Sequence, residues 1–304
     1  MRTDGFYDSC GEGRIHYCRW TPEWEVRGVL QIIHGMAEMV ERYDDFAQYL
    51  NSLGFLVVAE DHMGHGQSVA SVQGYFQGGW MSVAQDCMTL MKLTRRDYPH
   101  VPYAFLGHSM GSFLLRTILI RYPDADYDAA VVSGTGWQPR AGLPLMEALC
   151  RGVCRQKGEK TPSPFLNKLV FGNYNAKVEH KRTDSDWLTR DASIVDAYIA
   201  SPSCGFLITA GMFRDLMMGL QYIEKDENLR KMKKDRPVLF ISGAMDPVGN
   251  YGKGVKRTFE EFQKKGLRDV SMKLYPLCRH EVLNEINRQE IWDDVSLWLR
   301  EKLF

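Results

Sequence analysis

Apolar positions along the chain come in short blocks of two kinds, and the alternation between them predicts the elements. Residues 14–20 alternate apolar and polar, and 26–33 form a β-branched run ending at His34-Gly35, so both read as strands. Phe46, Leu50 and Leu53 then share one face of a predicted helix that stops at Gly54. A short apolar strand is expected over 55–59, a helix over 83–98, a strand over 103–106, and a helix over 110–122 halted by Pro123. Residues 129–133 read as another buried strand. Toward the end the rhythm resumes, with strands over 237–242 and 270–275 and helices over 254–265 and 289–303.

Continuous apolar strands alternating with helices predict a mostly parallel sheet covered on both faces. The short strand runs before the first long helix predict an antiparallel start to that sheet. Residues 137–235 break the rhythm: this stretch has helical spacing, as at Met212, Leu216, Met217 and Leu220, but no strand pattern. At roughly a hundred residues it is too long for a loop and reads as an inserted helical cap. Residues 1–136 and 236–304 then form the core. Such an insertion can cover the C-terminal strand edge, where open α/β sheets bind ligands.

Composition narrows the possibilities. The chain has 304 residues, 44% apolar and 25% charged, which suits a soluble globular protein with a large core. Its 38 basic residues balance 38 acidic ones, which argues against binding nucleic acid through bulk charge. No apolar run approaches the roughly 18 residues of a membrane span. The N-terminal residues lack the apolar stretch of a signal peptide. Seven cysteines, with no C-x-x-C pair, fit reduced thiols and a cytoplasmic setting. Cys150 and Cys154 lie one helical turn apart but have no nearby His, so buried thiols are expected there and no metal site. Nothing in the sequence specifies an oligomeric state.

The candidate chemistry sits at three places. Gly107-His108-Ser109-Met110-Gly111 is a G-x-S-x-G sequence between a predicted strand and a predicted helix, the setting of a nucleophile elbow. Out of that context it would be no more than a tight turn whose serine caps a helix. A hydroxyl needs a base oriented by a third group. Asp246 follows the strand at 237–242, and His280 follows the strand at 270–275, in the order Ser, acid, His expected of this arrangement. All three lie just beyond strand C-terminal ends. An oxyanion formed by acyl transfer needs two N–H donors; the Met110 amide, at the helix start, and the Met36 amide, in the loop after the early strand, are the candidates. His62 and His65, in a second glycine-rich loop, have no acidic or histidine partner at metal-ligand spacing and read as turn residues. His108 reads as packing beneath the elbow. The insertion residues Met146, Phe206, Met212, Phe213 and Met217, with Trp137, are candidates for an acyl pocket, and each also fits the insertion's own core.

With those residues in place, the chain resembles the α/β-hydrolase superfamily, and within it the monoacylglycerol lipase/lysophospholipase branch of serine aminopeptidase S33-type hydrolases. The stretches that carry the resemblance are HGMAEMVERYDDFAQYL (34–50), DHMGHGQS (61–68), LGHSMGS (106–112), SGAMDPVG (242–249) and RHEVLNE (279–285), with DWLTRD (186–191) and CGF (204–206) in the insertion. The resemblance implies an eight-stranded sheet, Ser109 as nucleophile, His280 as base, Asp246 as its orienting acid, and the Met36 and Met110 amides as oxyanion donors. Positions 36 and 37 are Met-Ala where many relatives have a small residue then Gly, so a bulky side chain flanks the site.

The expected activity is cofactor-free hydrolysis of monoacylglycerols, lysophospholipids or short- to medium-chain esters through an acyl-enzyme. The insertion would offer a peripheral contact with membranes. Two other readings stay open. The same groups serve an aminopeptidase or acyltransferase, a peptidase needing a carboxylate such as Glu38 or Asp61 for the substrate's amino group. Some proteins of this fold act instead as small-ligand receptors.

Overall fold

The computed structural model describes residues 1–139 and 141–304. Its eight strands are β1 (Arg2–Asp8), β2 (Arg14–Trp20), β3 (Gly28–Ile33), β4 (Phe55–Glu60), β5 (Tyr103–His108), β6 (Ala129–Ser133), β7 (Val238–Gly243) and β8 (Val270–Tyr275). They form one sheet in the order β1-β2-β4-β3-β5-β6-β7-β8. The first two pairings, β1 with β2 and β2 with β4, are antiparallel, and the rest are parallel. The antiparallel start and the parallel remainder are as the sequence pattern predicts.

Every residue of β3, β4, β5, β6 and β7 is buried, because helices cover both faces. Within a strand, neighbours point to opposite faces. Val29 and Ile33 join one core, with the helices α2 (Trp80–Asp97) and α3 (Met110–Arg121); Leu30 and Ile32 join the other, with α1 (Asp44–Ser52). The strand at the front edge, β1, was not predicted by the pattern. Only its Phe6 and Tyr7 are large and apolar, and the strand is held by its ladder to β2 rather than by burial.

Between β6 and β7 the chain passes through α4 (Gly142–Lys157), α5 (Pro164–Phe171), α6 (Ala192–Ala200), α7 (Ala210–Glu224) and the short α8 (Asp226–Leu229). Side chains cap three of these helices. Ser163 accepts from Leu166 N at 3.3 Å, Asp191 from Ser193 N at 3.1 Å, and Thr209 from Met212 N at 3.2 Å. The helix α7 packs on α4 and also on α2 and α3, so the insertion is seated on the sheet's helical layer. The core closes with α9 (Lys253–Lys264) and α10 (Arg288–Leu303). Among the described residues no helix is long and apolar enough to cross a membrane.

Candidate active site

Ser109 stands in the single-residue turn between β5 and α3, with φ 54° and ψ −121°. An L-residue adopts this region only when its surroundings impose it. Here Ser109 N donates to Ser133 O on β6 at 2.9 Å, and Ser112 Oγ donates back to Ser109 O at 2.5 Å. Gly111 is required beside it, since a Cβ there would run into the Ile33 carbonyl of β3. As the first residue of α3, Met110 presents an amide with no acceptor inside its own helix.

The loop after β3 closes over the serine from the other side. Gly35 is so near that a Cβ on it would lie 3.1 Å from Ser109 Cβ. Gly35 N donates to Glu38 Oε1, Ala37 takes a positive φ of 54°, and Gly205 N reaches across from the insertion to Ala37 O at 2.9 Å. Beneath the loop, His62 N donates to His34 Nε2 at 2.9 Å. The proton of His34 therefore sits on Nδ1, which donates to Gly35 O at 2.7 Å. Burial, reinforced by the charge of His62, holds His34 well below the usual histidine range, so it stays neutral. His62 and His65 are fully buried among these groups. His62 Nε2 lies 3.1 Å from His34 O, and His65 Nδ1 lies 3.3 Å from Met63 O.

His280 lies 2% exposed in the loop after β8, with Nδ1 3.0 Å from Asp246 Oδ1. The contact is close but angled, short of a well-aligned hydrogen bond. Asp246, fully buried, accepts from Val248 N at 2.8 Å through Oδ1 and from Ser242 Oγ at 3.2 Å through Oδ2. Burial alone pushes the His280 pKa down. The negative charge of the adjacent Asp246, helped by Glu281 and Glu38, outweighs it and leaves the pKa above the ordinary value. The imidazole packs between Trp187, at 5.0 Å between ring centroids, and His108, at 4.8 Å. His108 bonds Ser133 Oγ at 3.2 Å through Nδ1, and burial followed by the charge of His280 holds it well below its usual pKa. The sequence pattern makes it packing beneath the elbow; it packs on His280 and also borders the cavity.

A feature that sequence reasoning missed joins the two loops. Arg42 Nη1 donates to Glu38 Oε2 at 2.7 Å and to Glu281 Oε1 at 2.7 Å, while Nη2 reaches Glu281 Oε2 at 2.6 Å. All three groups are buried or nearly so. Burial opposes ionising Glu281, but the guanidinium overcomes it and pulls that carboxyl down to about 2. The meeting of Glu38 and Arg42 with Glu281 depends on the loop after β8, and the sequence reading does not pair these residues.

Ser109, His280, Met36 and Met110 open on one cavity of about 820 Å³. This lies within the roughly 300–1,000 Å³ of ligand sites. Of the acyl-pocket candidates, Trp137, Met146, Phe206 and Met217 line it. Met212 and Phe213 do not: both are fully buried on the face of α7 that turns into the core. The cavity-facing residues of that helix are Leu216, Met217 and Leu220, one stripe at helical spacing. Leu143, Val170 and Phe171 complete the apolar wall. Of the two carboxylates offered for an amino group, Glu38 borders the cavity but is committed to Gly35, Arg42 and Tyr43. Asp61 points elsewhere, holding Val40 N, Gln67 N and His16.

A strained serine, a buried histidine–aspartate pair and an apolar cavity on an eight-stranded α/β sheet define a serine ester hydrolase of the α/β-hydrolase type. The chain belongs to the family described as "Serine aminopeptidase, S33", matched by residues 24–287. It is 31% identical over 303 residues to a monoacylglycerol lipase of Mycolicibacterium smegmatis, covering 98% of this chain and 97% of that one. It is 26% identical over 299 residues to the monoglyceride lipase of Mus musculus, covering 96% of this chain and 89% of that one. Among solved structures, a thermostable carboxyl esterase from Bacillus coagulans, crystallised with glycerol, superposes with a TM-score of 0.91 at 27% identity. That match covers 100% of this chain and 99% of that one.

Proposed function

We propose that the chain hydrolyses monoacylglycerols and related lysophospholipid or short- to medium-chain esters through an acyl-enzyme on Ser109. The observation that carries this reading is that Ser109 and His280, the latter 3.0 Å from Asp246, line one cavity whose apolar wall includes Met146, Phe206, Leu216 and Met217. His280 takes the Ser109 proton as the oxygen attacks the carbonyl, and Asp246 stabilises the imidazolium that forms. The Met36 and Met110 amides hold the oxyanion. His280 then protonates the leaving alcohol, and water repeats the cycle to release the acid. The insertion, residues 137–235, serves as a cap that supplies most of the acyl wall. The substrate class is further supported by the two lipase relatives, each aligned over nearly the whole chain.

The test is a panel of p-nitrophenyl esters from C2 to C16 with monoacylglycerols, wild type against Ser109→Ala. Activity with a chain-length optimum, falling as much as about 10⁶-fold in the variant, is expected. Retention of more than a few per cent of turnover refutes the nucleophile. The peptidase reading is disfavoured because Glu38 is fully engaged and Asp61 is outside the cavity. Amino-acyl anilides in the same panel compare the two.

A further inference from the structure

Well away from the serine, three side chains with different donor atoms converge on the front edge of the sheet. Asp4 on β1 is the cross-strand partner of Cys18 on β2, and His16 is two residues before Cys18, so all three project from one face. Asp4 Oδ1 lies 3.0 Å from His16 Nε2 and 3.1 Å from Cys18 Sγ, and Sγ is 4.0 Å from Nε2. We propose that Asp4 Oδ1, His16 Nε2 and Cys18 Sγ bind a zinc-type divalent cation, with water as the fourth ligand.

A mixed oxygen, nitrogen and thiolate set suits a borderline cation such as Zn²⁺, whose bonds of about 2.0–2.3 Å place tetrahedral ligand atoms about 3.3–3.6 Å apart. The separations here bracket that range, so adjustments of a few tenths of an ångström complete the triangle. Two further observations point to a ligand site rather than to a chance cluster. His16 Nδ1 is 2.8 Å from Asp61 Oδ2, and Asp61 is itself fixed by Val40 N at 3.0 Å and Gln67 N at 3.0 Å. A carboxylate behind the imidazole fixes its tautomer and aims the far nitrogen at a metal. Access is built in as well: His16 and Cys18 are buried, whereas the Asp4 side chain is 45% exposed and is the side from which an ion and its water enter. Arg2 also donates to Asp4 Oδ1, at 3.0 Å, yet it holds Glu41 and Asp44 too, so it keeps two carboxylate partners when the metal takes that oxygen.

Charge balances on binding. With a carboxylate at each ring nitrogen, His16 holds two protons in the metal-free form. On binding, the one between Nε2 and Asp4 and the Cys18 thiol proton pass to solvent, Nδ1 keeps its proton toward Asp61, and the dication meets one thiolate and one carboxylate. The bound ion clamps β1 to β2 and, through His16 and Asp61, to the backbone that continues from the loop over Ser109. No metal motif is visible in the linear sequence because the ligands come from two strands joined by register. The site is independent of the hydrolytic reading.

The experiment is a titration of the chelator-treated full-length protein with Co²⁺, followed by absorbance, with Zn²⁺ added afterwards. One equivalent is expected to give a thiolate-to-cobalt band in the near ultraviolet with visible bands of tetrahedral intensity, all bleached by Zn²⁺. Cys18→Ala abolishes the ultraviolet band, and Asp4→Asn, at an exposed position, weakens binding by about 10- to 100-fold. Cys87→Ala leaves the band intact, although Cys87 lies in a second, wholly buried cluster with Glu60 and His62. Zn²⁺ raises the melting temperature of wild type but not of Cys18→Ala. Absence of the band in folded wild type, its survival in Cys18→Ala, or its loss only in Cys87→Ala overturns the proposal.

Discussion

Replacing Asp246 by Asn tests the electrostatic part of the proposed mechanism with little change of shape. Asp246 Oδ1 lies 3.0 Å from His280 Nδ1, in a fully buried site. With charge centres about 4 Å apart and an effective dielectric near 20, the pair is worth about 4 kcal/mol to an imidazolium, and far less to the neutral ring. That difference appears as the imidazolium develops in the transition state, so kcat falls by about 10³-fold. The Asn amide can also turn its NH₂ toward Nδ1 and impose the wrong tautomer, which extends the loss toward about 10⁴-fold. The pH profile adds a second readout. His280 must be neutral to act as base, so activity rises with pH through its pKa. In wild type, burial pulls that pKa down but Asp246, Glu281 and Glu38 raise it above the ordinary value. Without the Asp246 charge, burial regains weight, and the acid limb of kcat/KM moves to lower pH while the plateau drops. Stopped-flow or steady-state hydrolysis of a p-nitrophenyl ester from pH 4.5 to 9 measures both. A plateau lowered by less than tenfold, or an acid limb that stays or moves upward, refutes the reasoning.

Filling the acyl wall changes specificity. Met217→Trp is expected to leave C2–C4 esters within about twofold and to cut kcat/KM for the longest acyl chains by tenfold or more; an unchanged chain-length profile removes Met217 from the acyl path. Arg42→Ala leaves the buried Glu38 and Glu281 carboxylates without their guanidinium. It should cost about 3–5 kcal/mol in urea denaturation. A loss below about 1 kcal/mol would mean that water or protonation compensates for the missing charge. Met212→Leu, conservative in volume and outside the cavity, is expected to keep the wild-type chain-length optimum in the same ester panel, and a shifted optimum contradicts the placement of that face of α7.

What the sequence made legible follows from how locally each feature is encoded. The strands β3–β7 are buried on both faces, so each is mostly apolar, and each shows as a short apolar run in the sequence despite buried polar residues such as Gln31 in β3 and Glu60 in β4. The elbow is local too: G-x-S-x-G between a strand and a helix carries its geometry within one turn. His280 and Asp246 were legible through topology, because residues after parallel strands emerge on the same edge. The failures are the features that depend on a partner. β1 has an exposed, polar pattern and exists because its ladder to β2 exists. Met212 and Phe213 have the composition of a pocket wall, but a helix that packs on α2, α3 and α4 buries most of its circumference, and periodicity alone does not say which stripe faces the cavity. The Glu38–Arg42–Glu281 bridge spans most of the chain and has no sequence signature.

The histidine loop is held by more than its acid, and this is what makes Asp246→Asn interpretable. His280 N donates to Trp187 O at 3.3 Å and Glu281 N to Leu188 O at 2.7 Å, so segment 186–191 of the insertion runs beside the loop. Arg279 Nη1 donates to Thr189 O at 3.0 Å, and Thr189 Oγ1 to Asn284 O at 2.9 Å. Arg190 Nε pairs with Glu285 Oε2 at 2.9 Å, and Glu285 Oε1 accepts from Arg279 N at 2.8 Å. From the opposite side Arg42 grips Glu281 through two nitrogens. Backbone and neighbours therefore fix where the imidazole sits, while Asp246 sets its charge and tautomer. Removing the carboxylate's charge leaves the ring in place and separates orientation from electrostatics. Cutting the Arg190–Glu285 pair, as in Glu285→Gln, does the reverse: it loosens the loop while Asp246 keeps its charge. The two variants should accordingly differ in kind, Asp246→Asn shifting the acid limb and Glu285→Gln lowering kcat with the limb unmoved.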